Sequence, residues 1–154
     1  MNAIKDIPFA DDVNYSMFAA SHLARAEGTE ITLRLFIAGL YLGCFERLLG
    51  YFVDWSKATT SIARNFKIDK PVWIYWAEMY QEMISDKELG MAMFSPDTIK
   101  VLDDAANIAR ERAKNAILNL ADILTAIDKN QQMDLCKIFV ESGLDAALFV
   151  RRSL

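Results

Sequence analysis

The sequence predicts an all-α fold: a single domain over residues 1–154, a bundle of about six helices, with residues 1–10 as a flexible N-terminal tail. Three observations carry that expectation. Apolar residues recur at three- and four-residue spacing along most of the chain, and no segment alternates with the two-residue period of a half-buried strand. Helix start and stop residues punctuate the chain at helix-length intervals. The stretch 31–53, ITLRLFIAGLYLGCFERLLGYFV, is apolar on nearly every side, as a helix at the centre of a bundle must be.

Taken in order, Asp11 can cap a first helix from about Asp12 to Ala26, which Gly28 is placed to end in a left-handed conformation. Thr29 then caps the central helix, with Glu30 in its first turn, and that helix is expected to continue to Val53. Along it, Thr32, Gly39, Gly43, Glu46 and Gly50 fall on one strip roughly 60° wide. A glycine inside a helix costs about 1 kcal/mol against alanine. A line of them is therefore expected to be a groove that admits another helix closely.

Asp54 starts a short third helix, ending near Lys67, with Trp55, Ala58, Ile62 and Phe66 on one face. A fourth helix from Pro71 to about Leu89 is expected to turn Val72, Trp73, Trp76, Met79, Tyr80, Met83 and Ile84 inward and Tyr75, Glu78, Glu82 and Asp86 outward, stopping at Gly90. Ser95-Pro96-Asp97 combines a hydroxyl cap, a first-turn proline and a first-turn acid. No proline or glycine follows until past Asp128, while Leu102, Ala106, Ala109, Ala113, Ala116, Leu120, Ile123 and Ile127 recur at spacings of four and three. That predicts one long helix over 97–128, roughly 48 Å at 1.5 Å per residue. A last helix, from about Gln131 to Arg152, turns Met133, Cys136, Val140, Gly143, Ala147 and Val150 inward.

Composition narrows the function classes. Hydrophobic residues make up 53% of the chain, with nine Phe, seven Met, five Tyr and three Trp, a surplus that suits a partner surface. The longest charge-free apolar run of the central helix, Leu35 to Phe45, is too short to cross a bilayer core. The chain opens without a basic segment followed by a long apolar one. A cytoplasmic protein that does not span a membrane is expected. A net charge of −4 gives no general attraction to nucleic acid, which is not expected as a partner. Cys44 and Cys136 are far apart and lack CxxC spacing, so both are read as buried reduced thiols.

No catalytic set, cofactor or metal is expected. Glu78 and Glu82 are one helical turn apart, as a metal or acid/base pair requires, but they have no complementary His or acidic motif and read as a solvated face. His22, the only histidine, has Arg25 one turn away yet lacks the glycine that follows the basic residue in histidine phosphotransfer domains. Glu46 is the unusual carboxylate: on an apolar helix it should either pair with Arg34, Arg47, Arg110 or Arg112, or anchor a ligand pocket. The leading expectation is a non-enzymatic protein-binding module of the small inhibitor, immunity or adaptor type. Its partner surface is expected at Ile74, Tyr75, Glu78, Glu82, Asp86, Met91 and Met93. The alternative is a small-molecule binder with a pocket near Glu46, and a phosphotransfer or carboxylate-dependent enzyme comes third. If the 97–128 helix outruns the body that covers it, Leu120, Ile123, Leu124 and Ile127 would form a homodimer seam.

Overall fold

The computed structural model describes residues 6–84 and 93–147. Asp86 and Met91, the end of the fourth helix and the last helix beyond Ala147 lie outside the described residues. The described residues form eight α-helices: α1 (Asp11–Glu27), α2 (Leu33–Gly43), α3 (Phe45–Leu48), α4 (Trp55–Asn65), α5 (Val72–Ile84), α6 (Pro96–Arg112), α7 (Leu120–Lys129) and α8 (Asp134–Glu141). A 3₁₀ turn, Leu49–Tyr51, follows α3. The count exceeds six because two expected helices are each divided.

The central stretch is the first. Within α2 every residue but Arg34 and Gly43 is buried. The helix ends at Gly43, however, not at Val53, because the chain turns at Cys44, whose backbone adopts φ −116° and ψ 26°. The thiol of Cys44 is held there by the Ser16 hydroxyl at 2.9 Å and donates to the Asp12 carbonyl at 3.3 Å. Beyond the turn the surface opens, and Glu46, Arg47, Leu49 and Val53 are exposed. The helix also starts three residues later than expected, with Thr32 as the cap, its hydroxyl accepting from Leu35 N at 3.3 Å. Ile31 is already committed elsewhere. It donates to Met93 O at 2.7 Å and accepts from Ser95 N at 3.0 Å, so its backbone is extended rather than helical.

The glycine strip meets α1. A Cβ placed on Gly43 would lie 2.4 Å from the Ser16 amide nitrogen, and one on Gly39 would lie 2.7 Å from the Ser16 carbonyl oxygen and 2.8 Å from the Ala20 Cβ. Hydrogen is the only side chain that fits at either position. Gly28, at φ 67°, ends α1 in the left-handed conformation and returns the chain as an antiparallel partner, and α1 and α2 make the most extensive helix contact among the described residues. Ser16, Ala19, Ala20 and Ala24 supply the small, buried surface on the α1 side. Gly50 lies past the end of α2, in the 3₁₀ turn.

The second division removes the long rod. Ser95 caps α6 with Pro96 in its first turn, but the helix stops at Arg112 and Ala113 is extended at φ −153° and ψ 143°. Asn119 then opens α7 through a capping box with Asp122. The chain thus folds back into a second antiparallel hairpin, tied by Arg112 to Asp122 at 2.8 Å and by Asn130 to Asp104 at 2.8 Å. Leu102, Leu120, Ile123, Leu124 and Ile127 are all buried inside it. The expected homodimer seam along 97–128 is therefore covered by the chain's own two halves.

Three isolated backbone bridges tie the connections together: Phe9 with Leu118, Ile31 with Phe94, and Phe52 with Leu144. The first brings the described end of the expected tail, Ile7 to Ala10, into the fold. Ile7 is buried, Leu118 N donates to Pro8 O at 2.8 Å and Ala10 N to Leu118 O at 2.9 Å. The third ends the last helix early. Val53 N donates to Gly143 O at 3.0 Å and Asp145 N to Tyr51 O at 2.8 Å, so Gly143, at φ 111°, lies outside α8 instead of on its inner face. Aromatic rings fill the space between α3, α4 and α8. Tyr41, Phe45 and Phe52 surround Trp55, and Phe139 joins Phe52 to Phe66 with ring centroids 5.5 and 6.1 Å apart.

Candidate functional site

The helix that departs most from its expected orientation is α5. Tyr75 and Met79 are its buried residues, while Trp73, Tyr80, Met83 and Ile84 are exposed at 70%, 60%, 58% and 57%. The expected inward and outward faces are thus largely exchanged. Two polar anchors set this rotation. The Tyr75 hydroxyl donates to Asp69 at 3.0 Å, and the Trp76 indole donates to the Leu42 carbonyl at 2.9 Å. A third anchor lies two turns beyond Tyr75 on the same side of the helix. Glu82 receives Arg25 Nε at 2.6 Å and pairs directly with His22 Nδ1, while His22 Nε2 lies 3.6 Å from Glu78, which itself accepts from Lys70 at 2.6 Å.

Glu78 and Glu82 are therefore not a free solvated face. They join α5 to α1 and to the loop before α5, and the Glu82 side chain is only 18% exposed. Burial pushes the Glu82 carboxyl up, but bonds from His22 and Arg25 outweigh it and hold the group below its ordinary value. The Lys70 ammonium does the same for Glu78. His22, at 14% side-chain exposure, is engaged in this network rather than presented for phosphotransfer.

With its polar side turned to α1, α5 presents Trp73, Ala77, Tyr80 and Ile84 outward, spaced four, three and four residues apart. Each falls on one face at 100° per residue. None of the four carries a charge. Beside this row, Trp76 meets the exposed Tyr15 of α1 edge to face, with centroids 6.1 Å apart. A hollow opens on either side of that pair. The larger, about 750 Å³, lies among Leu42, Phe45, Val72, Trp73 and Trp76, with Asp12, Glu46 and Arg47 at its edge. The smaller, about 300 Å³, is formed by Asp11, Asn14, Tyr15, Phe18 and Met83.

Of the residues singled out by sequence, Glu46 lines the larger hollow, but as an exposed residue of α3. Three of the four arginines proposed for it point elsewhere: Arg47 to Asp12 at 3.4 Å, Arg34 to Glu27 at 2.7 Å and Arg112 to Asp122 at 2.8 Å. Tyr75 is buried and Ile74 half-buried, whereas Met93 is exposed beyond the described end of α5. Tyr15, Trp73, Tyr80 and Met83 were not assigned to the surface by sequence. The signal that distinguishes them is the placement of Glu82 opposite His22 and Arg25, which is a tertiary property.

The thiols have no exposed chemistry. Burial pushes Cys44 up to about 12 and Cys136 up to about 11, far from a reactive thiolate. Among the described residues no group of His, Cys, Asp or Glu has the arrangement to hold a metal ion, and no helix is long and apolar enough to cross a membrane. No family model matches the chain, and none of the curated proteins does.

Proposed function

We propose that this protein is a non-enzymatic protein-binding module, of the inhibitor, immunity or adaptor kind, that occludes or bridges a partner through the outer face of α5. The observation that carries this reading is the uncharged row from Trp73 to Ile84, exposed on a helix whose carboxylates Glu78 and Glu82 are turned to the body of the protein. Large aromatic and Met side chains left in water at this density are characteristic of contact surfaces. The engagement of His22 and Glu82 in ion pairs, and the burial of both thiols, also weigh against catalysis.

Affinity capture from the native host with the wild-type chain and with the double variant Trp73→Ser, Tyr80→Ser tests it. A protein retained by the first and lost by the second, with unchanged melting, is the expected result. Identical captured proteins would place binding elsewhere. The about 750 Å³ hollow supports a second reading, a small-molecule site beside Glu46. There, Glu46→Gln would abolish ligand binding.

A further inference from the structure

The chemistry of the α5 face defines its occupant more narrowly than its apolarity does. We infer that the partner segment is an amphipathic helix with a basic flank, an inference that rests on the protein-binding reading above. The row Trp73, Ala77, Tyr80, Ile84 is three helical turns long, roughly 17 Å at 1.5 Å per residue. A row at spacings of four and three is the surface into which another helix interdigitates, and the two hollows beside the Tyr15–Trp76 pair accept bulky apolar anchors from it.

Charge selects among helices. Asp11, Asp12 and Glu46 border the hollows, and the cation among their lining residues is Arg47, which faces Asp12 at 3.4 Å. The nearby cations Lys70 and Arg25 are engaged with Glu78 and Glu82 on the opposite side of α5. The rim is therefore net acidic, on a chain whose total charge is −4, and the row itself contributes nothing to offset it. Such a rim attracts lysine and arginine and repels acidic helices. It also disfavours a second copy of this chain, since an isologous pairing of the face would bring two acidic rims into one interface.

Two synthetic helical peptides with the same leucine face, one flanked by lysine and the other by glutamate, test the inference on the full chain by NMR titration of the three indole signals. Trp55 reaches the larger hollow only through Phe45, with ring centroids 5.3 Å apart, and is the indole expected to respond least. The lysine peptide should shift Trp73 and Trp76 more than Trp55, and the glutamate peptide should bind at least about tenfold more weakly at low salt. The double variant Asp11→Asn, Glu46→Gln, at two exposed positions, should cut the lysine peptide's affinity about three- to tenfold. Equal binding of both peptides at Trp73 and Trp76 would overturn the basic flank and leave the protein-binding face standing. No shift at either indole would overturn both. A free chain that sediments as a dimer, and becomes monomeric on Trp73→Ser, Tyr80→Ser, would show that a second copy is the occupant and overturn the inference.

Discussion

The α1/α2 hairpin and α5 are both largely apolar, and they spend that apolarity in opposite directions. In the hairpin, small residues on one helix meet glycines on the other, the backbones approach to near contact, and little of α2 reaches water. In α5, large rings stand outward, and the helix is attached by Tyr75, Met79, the Trp76 indole bond and a cluster of ion pairs. Close packing of small residues makes a rigid, specific joint. A few polar anchors under an aromatic face make a platform that is held in place while its surface remains available. Each region should accordingly fail in its own way when altered.

The largest expected loss is at the joint. Gly43→Leu should abolish a stable fold, because even the first added carbon would overlap backbone atoms of Ser16 that cannot rotate away. Gly43→Ala should itself cost about 3 kcal/mol by overpacking, more than the roughly 1 kcal/mol that alanine gains in helix propensity. Thermal or urea unfolding of the two variants measures both, and wild-type melting in either would disprove the close approach.

Next in size is the attachment of α5. Glu82→Gln removes the charge that His22 and Arg25 face across the α1 boundary, with an expected loss of about 1–3 kcal/mol at neutral pH. Glu82→Lys with Glu78→Lys should lose more, since it would crowd cations where the structure pairs them with acids. Retained melting in that double variant would mean that the attachment does not depend on these carboxylates.

The same anchor predicts a pH dependence. The Glu78 and Glu82 carboxyls are depressed in the folded chain, so the unfolded chain binds their protons more readily. Their stabilisation is fully present above the unfolded carboxylate value, about 4.3, and is lost as pH falls through the folded values below it. The stability gap between wild type and Glu82→Gln should therefore close as pH falls below about 4.3. A gap unchanged at pH 3 would contradict the depressed carboxyl.

The smallest stability effect belongs to the exposed row. Trp73→Ser and Tyr80→Ser should each alter unfolding by no more than about 0.5 kcal/mol, as surface changes do, while removing partner binding. A loss of several kcal/mol would mean that these rings are structural.

Much of the fold was legible where one residue's own chemistry decides the outcome. Gly28 ends α1, Asp54 caps α4 through Lys57 N, and Ser95 caps α6, each from local side-chain and backbone geometry. The glycine line announced a close helix contact because glycine in a helix has a cost that packing must offset. The break after Arg112 was not legible, since no proline or glycine marks it and Leu118 leaves the helical path to pair with Pro8 and Ala10. Asn119 and Asp122 did carry a capping-box pattern, masked by the unbroken four-three spacing around it. The rotation of α5 was hidden for a different reason. A helix apolar on most of its circumference has no unique inward face, and the choice falls to Asp69, Leu42, His22 and Arg25, which are distant in sequence.

The bridge between Phe9 and Leu118 also bears on how the molecule is made. It joins points separated by most of the chain, so during synthesis the first helix can pair with the second long before its leading end is clamped. Until Leu118 has emerged from the ribosome, Pro8 O and Ala10 N lack their backbone partner, and the apolar Ile7 and Phe9 beside them are not yet held in place. Contacts this distant slow the closing step of folding relative to a bundle with neighbour-only pairing. A chain truncated before Leu118 should consequently hold the α1/α2 hairpin with a frayed start, and it is in that interval that a chaperone would find most to bind.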